Sequence, residues 1–144
     1  MLRIRPEQLE PFKPVAEAAF VRRVTAYVRE KHGEVVIELP DGARAVKQLP
    51  DDALLEIVRS GIARARSYGM TWESTLTAFV AIMFVVAPNF DEHPLIQRVL
   101  KDESVPPDSR IDLLWERTTD QNWEAAQRNS NPASWNLESP EGEV

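Results

Sequence analysis

The chain has 144 residues, 43% of them apolar and 28% charged, with no Cys, two His and a formal charge of −6. At about this length one domain buries roughly 68–70% of its unfolded surface, so a core is possible without disulfides or metals. The lack of Cys excludes thiol nucleophiles, thiolate zinc sites, iron–sulfur clusters and a disulfide framework. A sequence pI near 5.0 argues against nucleic acid or an anionic membrane as the main partner, because both are bound chiefly through Lys and Arg.

The opening Met1-Leu2-Arg3-Ile4-Arg5-Pro6-Glu7 meets a proline and an acid before an apolar signal core could form, so no secretory leader is expected. Ala78 to Ala87 is the longest apolar run, about half of what a bilayer-spanning helix needs. The setting expected is cytoplasmic. Charge is skewed along the chain: residues 1–33 are net +3, 34–69 net −1 and 70–144 net −8. Such a skew marks solvated helix faces or a docking surface for a basic partner.

After Pro6, Pro11 and Pro14, the three-and-four spacing of Phe12, Val15, Ala16, Ala19, Phe20, Val24, Tyr27 and Val28 predicts an amphipathic helix over about 13–32, ended by Gly33. Arg22, Arg23, Arg29 and Lys31 fall on its other face and read as solvated. His32 reads as a cap at the helix end. Between Glu34 and Gln48, two short β-prone runs flank Asp41-Gly42, which predicts a β-hairpin packed on a helical body. Asp51 or Asp52 is placed to cap the next helix, which carries Leu54, Leu55, Val58, Ile62 and Ala65 on one side and stops at Gly69. Glu56 reads as a solvent-side acid. Thr71 is expected to cap a helix over 72–87 that is apolar almost all round from Leu76, the pattern of a segment surrounded by other helices. Phe79 and Phe84 are placed at the centre of the core.

Pro88 ends that helix. Pro88, Phe90, Asp91, His93 and Pro94 form a structural loop, with Pro94 in the first turn of a short helix reaching Lys101. Asn89, Asp91, Glu92 and His93 resemble a set of cation ligands, but one loop supplies too few of them and lacks the glycine of an EF-hand loop; capping of the next helix is the expected role. Pro106-Pro107 restart the chain into a helix with Ile111, Leu114 and Trp115 on a stripe, kinked near Thr118-Thr119, beyond which Trp123 and Ala126 continue. The predicted fold class is mainly α: a compact bundle of about five helices around a central apolar helix at 72–87, with a small hairpin near 34–48. The domain is expected to span 1–128, and the polar stretch 129–144 to be a disordered acidic tail.

No nucleophile elbow, phosphate loop or His-Glu-x-x-His motif occurs, so no catalytic residue, metal or cofactor is expected. Surface contact is the remaining chemistry. Arg59, Arg64, Arg66 and Tyr68 cluster near one helix junction, and Trp123 and Trp135 lie in the acidic half; Arg, Tyr and Trp dominate protein–protein hot spots. These six are the candidate partner-binding residues. Trp72 and Trp115 have core-helix spacing and are expected to be buried.

Gly61-Ile62-Ala63-Arg64-Ala65, Tyr68-Gly69-Met70-Thr71, Met83-Phe84, Pro88-Asn89-Phe90-Asp91, His93-Pro94, Leu100-Lys101-Asp102, Pro106-Pro107 and Arg110-Ile111-Asp112-Leu113-Leu114-Trp115-Glu116 together resemble small helical proteins encoded in bacterial type VI secretion clusters, beside PAAR-repeat proteins, spike proteins and effectors with their adaptors. The resemblance covers roughly residues 52–117, and Ala87 stands where that group usually has Gly. It implies an accessory or co-chaperone role: binding an effector, a PAAR protein or its adaptor before loading onto the secretion spike. An immunity protein that covers a toxin's active site is the rival reading, and a small-molecule-binding helical bundle is a third.

Overall fold

The computed structural model describes residues 13–135. Its elements, in order, are helix α1 (Lys13–His32), strands β1 (Val36–Leu39) and β2 (Gly42–Ala45), α2 (Asp51–Ser67), α3 (Glu73–Val85), α4 (Pro94–Leu100), α5 (Arg110–Arg117) and α6 (Asp120–Arg128), with short 3₁₀ turns between several of them. The chain is mainly helical with one two-stranded antiparallel hairpin, as the periodicity predicts. No described helix is long and apolar enough to cross a membrane.

α3 is the centre of the bundle. Leu76, Phe79, Val80, Met83 and Phe84 are all buried; α2 packs along α3 and buries Ile57, Val58, Gly61 and Ile62. Gly61 permits that closeness, since a Cβ there would lie 2.6 Å from the Met83 sulfur. α1 lies across α2 and α3 and buries Phe20, Val21, Val24 and Val28. α2 ends at Gly69, whose φ of 96° is open to few other residues.

The hairpin pairs Val36 with Ala45 and Leu39 with Gly42, so its turn is Pro40-Asp41 and Gly42 opens β2 with a φ of 133°. Ile37 and Leu39 point inward. Four-residue strands are marginal alone, and Arg29 ties this pair to the body. Its guanidinium donates to the carbonyls of Lys47 (3.1 Å) and Leu49 (2.7 Å) and to the Asp51 carboxylate (2.8 Å). The solvated reading of this arginine is therefore corrected: a long side chain next to a helix end reaches carbonyls 18 and 20 residues away.

Two predicted caps are also revised. Pro50 occupies the N-cap position of α2, with Asp51 and Asp52 in the first turn, where carboxylates favour the positive helix end. Trp72, not Thr71, is the N-cap of α3, and the free amide hydrogens there are taken from outside the helix. One Asp108 oxygen accepts from the backbone N–H groups of both Thr71 and Trp72 at 2.9 Å, and the other from the Thr71 hydroxyl at 3.0 Å. Burial pushes the Asp108 carboxyl up, but these hydrogen bonds outweigh it and hold the group below the usual carboxylate range.

The first part of the stretch predicted as tail packs on the hairpin. Residues Pro132–Trp135 form a 3₁₀ turn, and Trp135 is only 2% exposed. Its indole stacks at a tilt on Phe84, centroids 5.1 Å apart, and donates to the Glu38 carbonyl of β1 at 3.0 Å. The rest of the predicted tail, 136–144, lies outside the described residues.

Candidate functional site

The loop that most resembles a cation site is occupied by structural work. The Asn89 amide donates to the Asn129 carbonyl (3.1 Å) and accepts from the Asn131 N–H (2.9 Å), which fastens the segment after α6. Asp91 is 3% exposed. One of its oxygens takes Arg64 at 3.0 Å, the other the Tyr68 hydroxyl at 2.8 Å. Arg64 also donates to the Pro88 carbonyl. His93 caps α4, its Nδ1 accepting from the Leu95 N–H at 3.2 Å, with Pro94 in the first turn as expected. Phe90 is buried against Phe79. Among the described residues no group of three or more His, Asp or Glu side chains is placed to hold a metal ion.

The six candidate contact residues scatter accordingly. Arg59 pairs with Glu56 on the surface of α2, and Arg66 with Glu17 of α1. Arg64 and Tyr68 serve the Asp91 cluster, where burial first, and then the Asp91 hydrogen bond, push the Tyr68 phenol well above its usual range. They are not a joint surface. The tryptophans are inverted relative to expectation. Trp135 is buried and Trp123 half-buried, whereas Trp72 and Trp115 are 60% and 57% exposed.

Trp115 leads to an open apolar groove on the surface. α5 is amphipathic, with Ile111 and Leu114 turned inward, and Trp115 stands at the edge of that stripe. After α5 the backbone is extended at Thr118 and Thr119, and a Thr119–Asn122 capping box starts α6. This break turns α6 so that Trp123 slides beneath Trp115. The two indoles stack with centroids 5.1 Å apart and 29° between planes. Trp123 is fixed from below by Phe90 at 6.3 Å and by its indole N–H, which donates to the Thr118 hydroxyl at 2.8 Å.

Together with the last turns of α3, this pair forms a groove of about 640 Å³. Ile82, Val85 and Val86 supply its aliphatic floor, the two tryptophans one wall, and Asp120, Glu124 and Gln127 of α6 the rim. Val85 is 52% exposed. An exposed valine beside an exposed tryptophan in one concavity is the kind of apolar surface that marks interaction sites. The sequence places Val85 in a helix apolar all round and so hides it; the missed signal is that α3 carries more apolar positions than its neighbours cover.

Comparison with known protein families, with curated proteins and with solved structures returns no match.

Proposed function

We propose that this chain is a non-catalytic, protein-binding accessory factor, a co-chaperone or adaptor that loads a type VI secretion effector or PAAR protein. The observation that carries the protein-binding part is the Trp115–Trp123 stack above an open apolar floor. A tryptophan held in place by stacking presents a large contact area at little ordering cost, which is the make-up of a binding hot spot. The groove is wide open at Trp115 and Val85, whereas small-molecule sites bury roughly 70–90% of their ligand; this favours a macromolecular segment over a metabolite. The secretion context is supported by the sequence resemblance across residues 52–117.

The test is capture with the tagged chain from its native host, paired with a deletion strain. Recovery of an effector, PAAR protein or adaptor, with loss of that effector's secretion in the deletion, is the expected result. Recovery of none would refute the reading. Protection from a co-expressed toxin, with secretion intact, would instead establish the immunity role, which the acidic rim of the groove also suits.

A further inference from the structure

Asp120 and Glu124 stand four residues apart on α6, so both project from the same helix face onto the groove rim. Among the described residues neither has a cationic partner. The two arginines near them in sequence do not serve: Arg117 is held by Asp102 at 2.7 Å, and Arg128, one turn beyond Glu124, forms no ion pair with it. Asp120 favours the positive start of α6; Glu124 has no such local role. The floor below them is aliphatic and aromatic, and the rim is anionic.

We propose that this groove docks a cationic amphipathic helix of the partner protein, with Leu-, Ile- or Phe-type side chains laid on Ile82, Val85 and Trp115 and Lys or Arg side chains meeting Asp120 and Glu124. This rests on the protein-binding reading above and names the partner's chemistry. The dimensions fit. The lining stretches 81–86 and 120–127 are about 8 and 11 Å long at about 1.5 Å per helical residue, and two turns of a helix cover about 11 Å. Apolar anchors at i, i+3 or i+4, and i+7 are the standard reading of a helix in such a groove. Cations one turn apart on the partner would then face carboxylates one turn apart on α6. The net −8 of residues 70–144 steers the same partner on approach.

Other occupants fit less well. Two copies meeting groove to groove would offer Asp120 and Glu124 no cation, because no Lys or Arg is among the described residues that line the groove. The chain's own first twelve residues carry two Arg and two Glu, with no net charge, so their sequence does not supply the cationic face that the rim selects.

The experiment uses the full chain and two labelled synthetic helices, one of Leu and Lys in amphipathic register and one with every Lys replaced by Glu, followed by fluorescence anisotropy and sedimentation. The Lys helix should bind and the Glu helix should not. Trp115→Ala should weaken the Lys helix by about thirtyfold, the scale of a hot spot. Glu124→Lys, which leaves Trp115 in place, should weaken it and create binding of the Glu helix. Circular dichroism melts serve to show both variants folded; each changes an exposed residue. No binding of the Lys helix, equal binding of both helices, or a Trp115→Ala affinity within twofold of the original overturns the proposal. So does a dimer of the unmodified chain that Trp115→Ala dissociates, because a second copy then occupies the groove. Capture of a native partner equally by the original and the Trp115→Ala chain would remove the groove and leave the accessory function. Binding of the Lys helix through Trp115, with no native partner captured, would remove the accessory function and leave the groove.

Discussion

Replacing Trp135 by Ala should destabilise this protein about as much as a mutation in the middle of the bundle, although composition places the residue in a tail. The ring is 2% exposed and packs on Phe84, itself 3% exposed, so truncation removes most of a buried indole from a close-packed contact. Large aromatic-to-Ala changes in such settings cost about 3–5 kcal/mol. The same change orphans the Glu38 carbonyl, which loses its indole donor at 3.0 Å. Trp135→Phe keeps most of the packing and loses the hydrogen bond and one ring; about 1–2 kcal/mol is expected. At about 3–4 °C per kcal/mol for a chain of this size, the Ala variant should melt about 10–20 °C lower and the Phe variant about 3–8 °C lower. Urea denaturation read by far-ultraviolet circular dichroism measures this without relying on the fluorescence of the residue removed. A chain ended after Arg128 should behave like Trp135→Ala or worse. If the truncated chain and Trp135→Ala both unfold within about 0.5 kcal/mol of the original, the typical range for surface substitutions, the docking of residues 129–135 on the hairpin is wrong.

Phe79→Ala, at 0% exposure in the centre of α3, should cost about 3–5 kcal/mol in the same urea assay; an unchanged midpoint would mean that α3 is not the centre. Asp91→Asn should cost about 3 kcal/mol, the low end for a broken buried pair, because Arg64 is 23% exposed and keeps the Pro88 carbonyl. Tyr68→Phe should cost about 1 kcal/mol. It should also flatten the alkaline limb of stability: the folded phenol titrates above its unfolded value, so its contribution is complete below about pH 10 and fades as pH rises beyond it. Asp108→Ala should cost about 1–2 kcal/mol at neutral pH, as the loss of a helix cap does. With the Asp108 carboxyl held low in the fold, its contribution is present above about pH 4 and is lost as pH falls. Urea midpoints of the Ala variant and the original should therefore converge toward pH 2; a constant gap would refute the capping role.

How much was legible in the sequence depends on how far each contact reaches. The helix over 13–32, the hairpin, the apolar central helix and the Pro94 start all follow from patterns within a few residues, and all are present. The polar ties are not local. Arg110 donates to the carbonyls of Val105, Leu100 and Tyr68, the last 42 positions away, and Asp108 caps a helix 36 positions earlier. No window of sequence encodes such partners. The inverted tryptophans have a related cause. Helical spacing says nothing of Trp72, whose backbone is extended at φ −73°, ψ 138°. For Trp115 it fixes a position beside Ile111 and Leu114, but whether that edge is covered depends on where α6 crosses, which the break at Thr118-Thr119 decides.

The last turn of α3 joins the two features that the sequence conceals. Phe84 faces Trp135 and the hairpin, while the next residue, Val85, faces the groove. Successive helical residues point about 100° apart, so one turn serves the core on one side and the docking surface on the other. The opposite wall is equally anchored, because Trp123 rests on Phe90 and Asn89 in the same loop clamps the chain after α6. A groove with both walls tied to the core keeps its shape without a partner, so little of the binding energy is lost to ordering. Loosening the Trp135 contact should release the Phe84 side of that turn and, through it, the position of Val85. Trp135→Phe, mild enough to leave the chain folded, should accordingly weaken binding of the Lys helix even though Trp135 touches neither Trp115 nor the acidic rim.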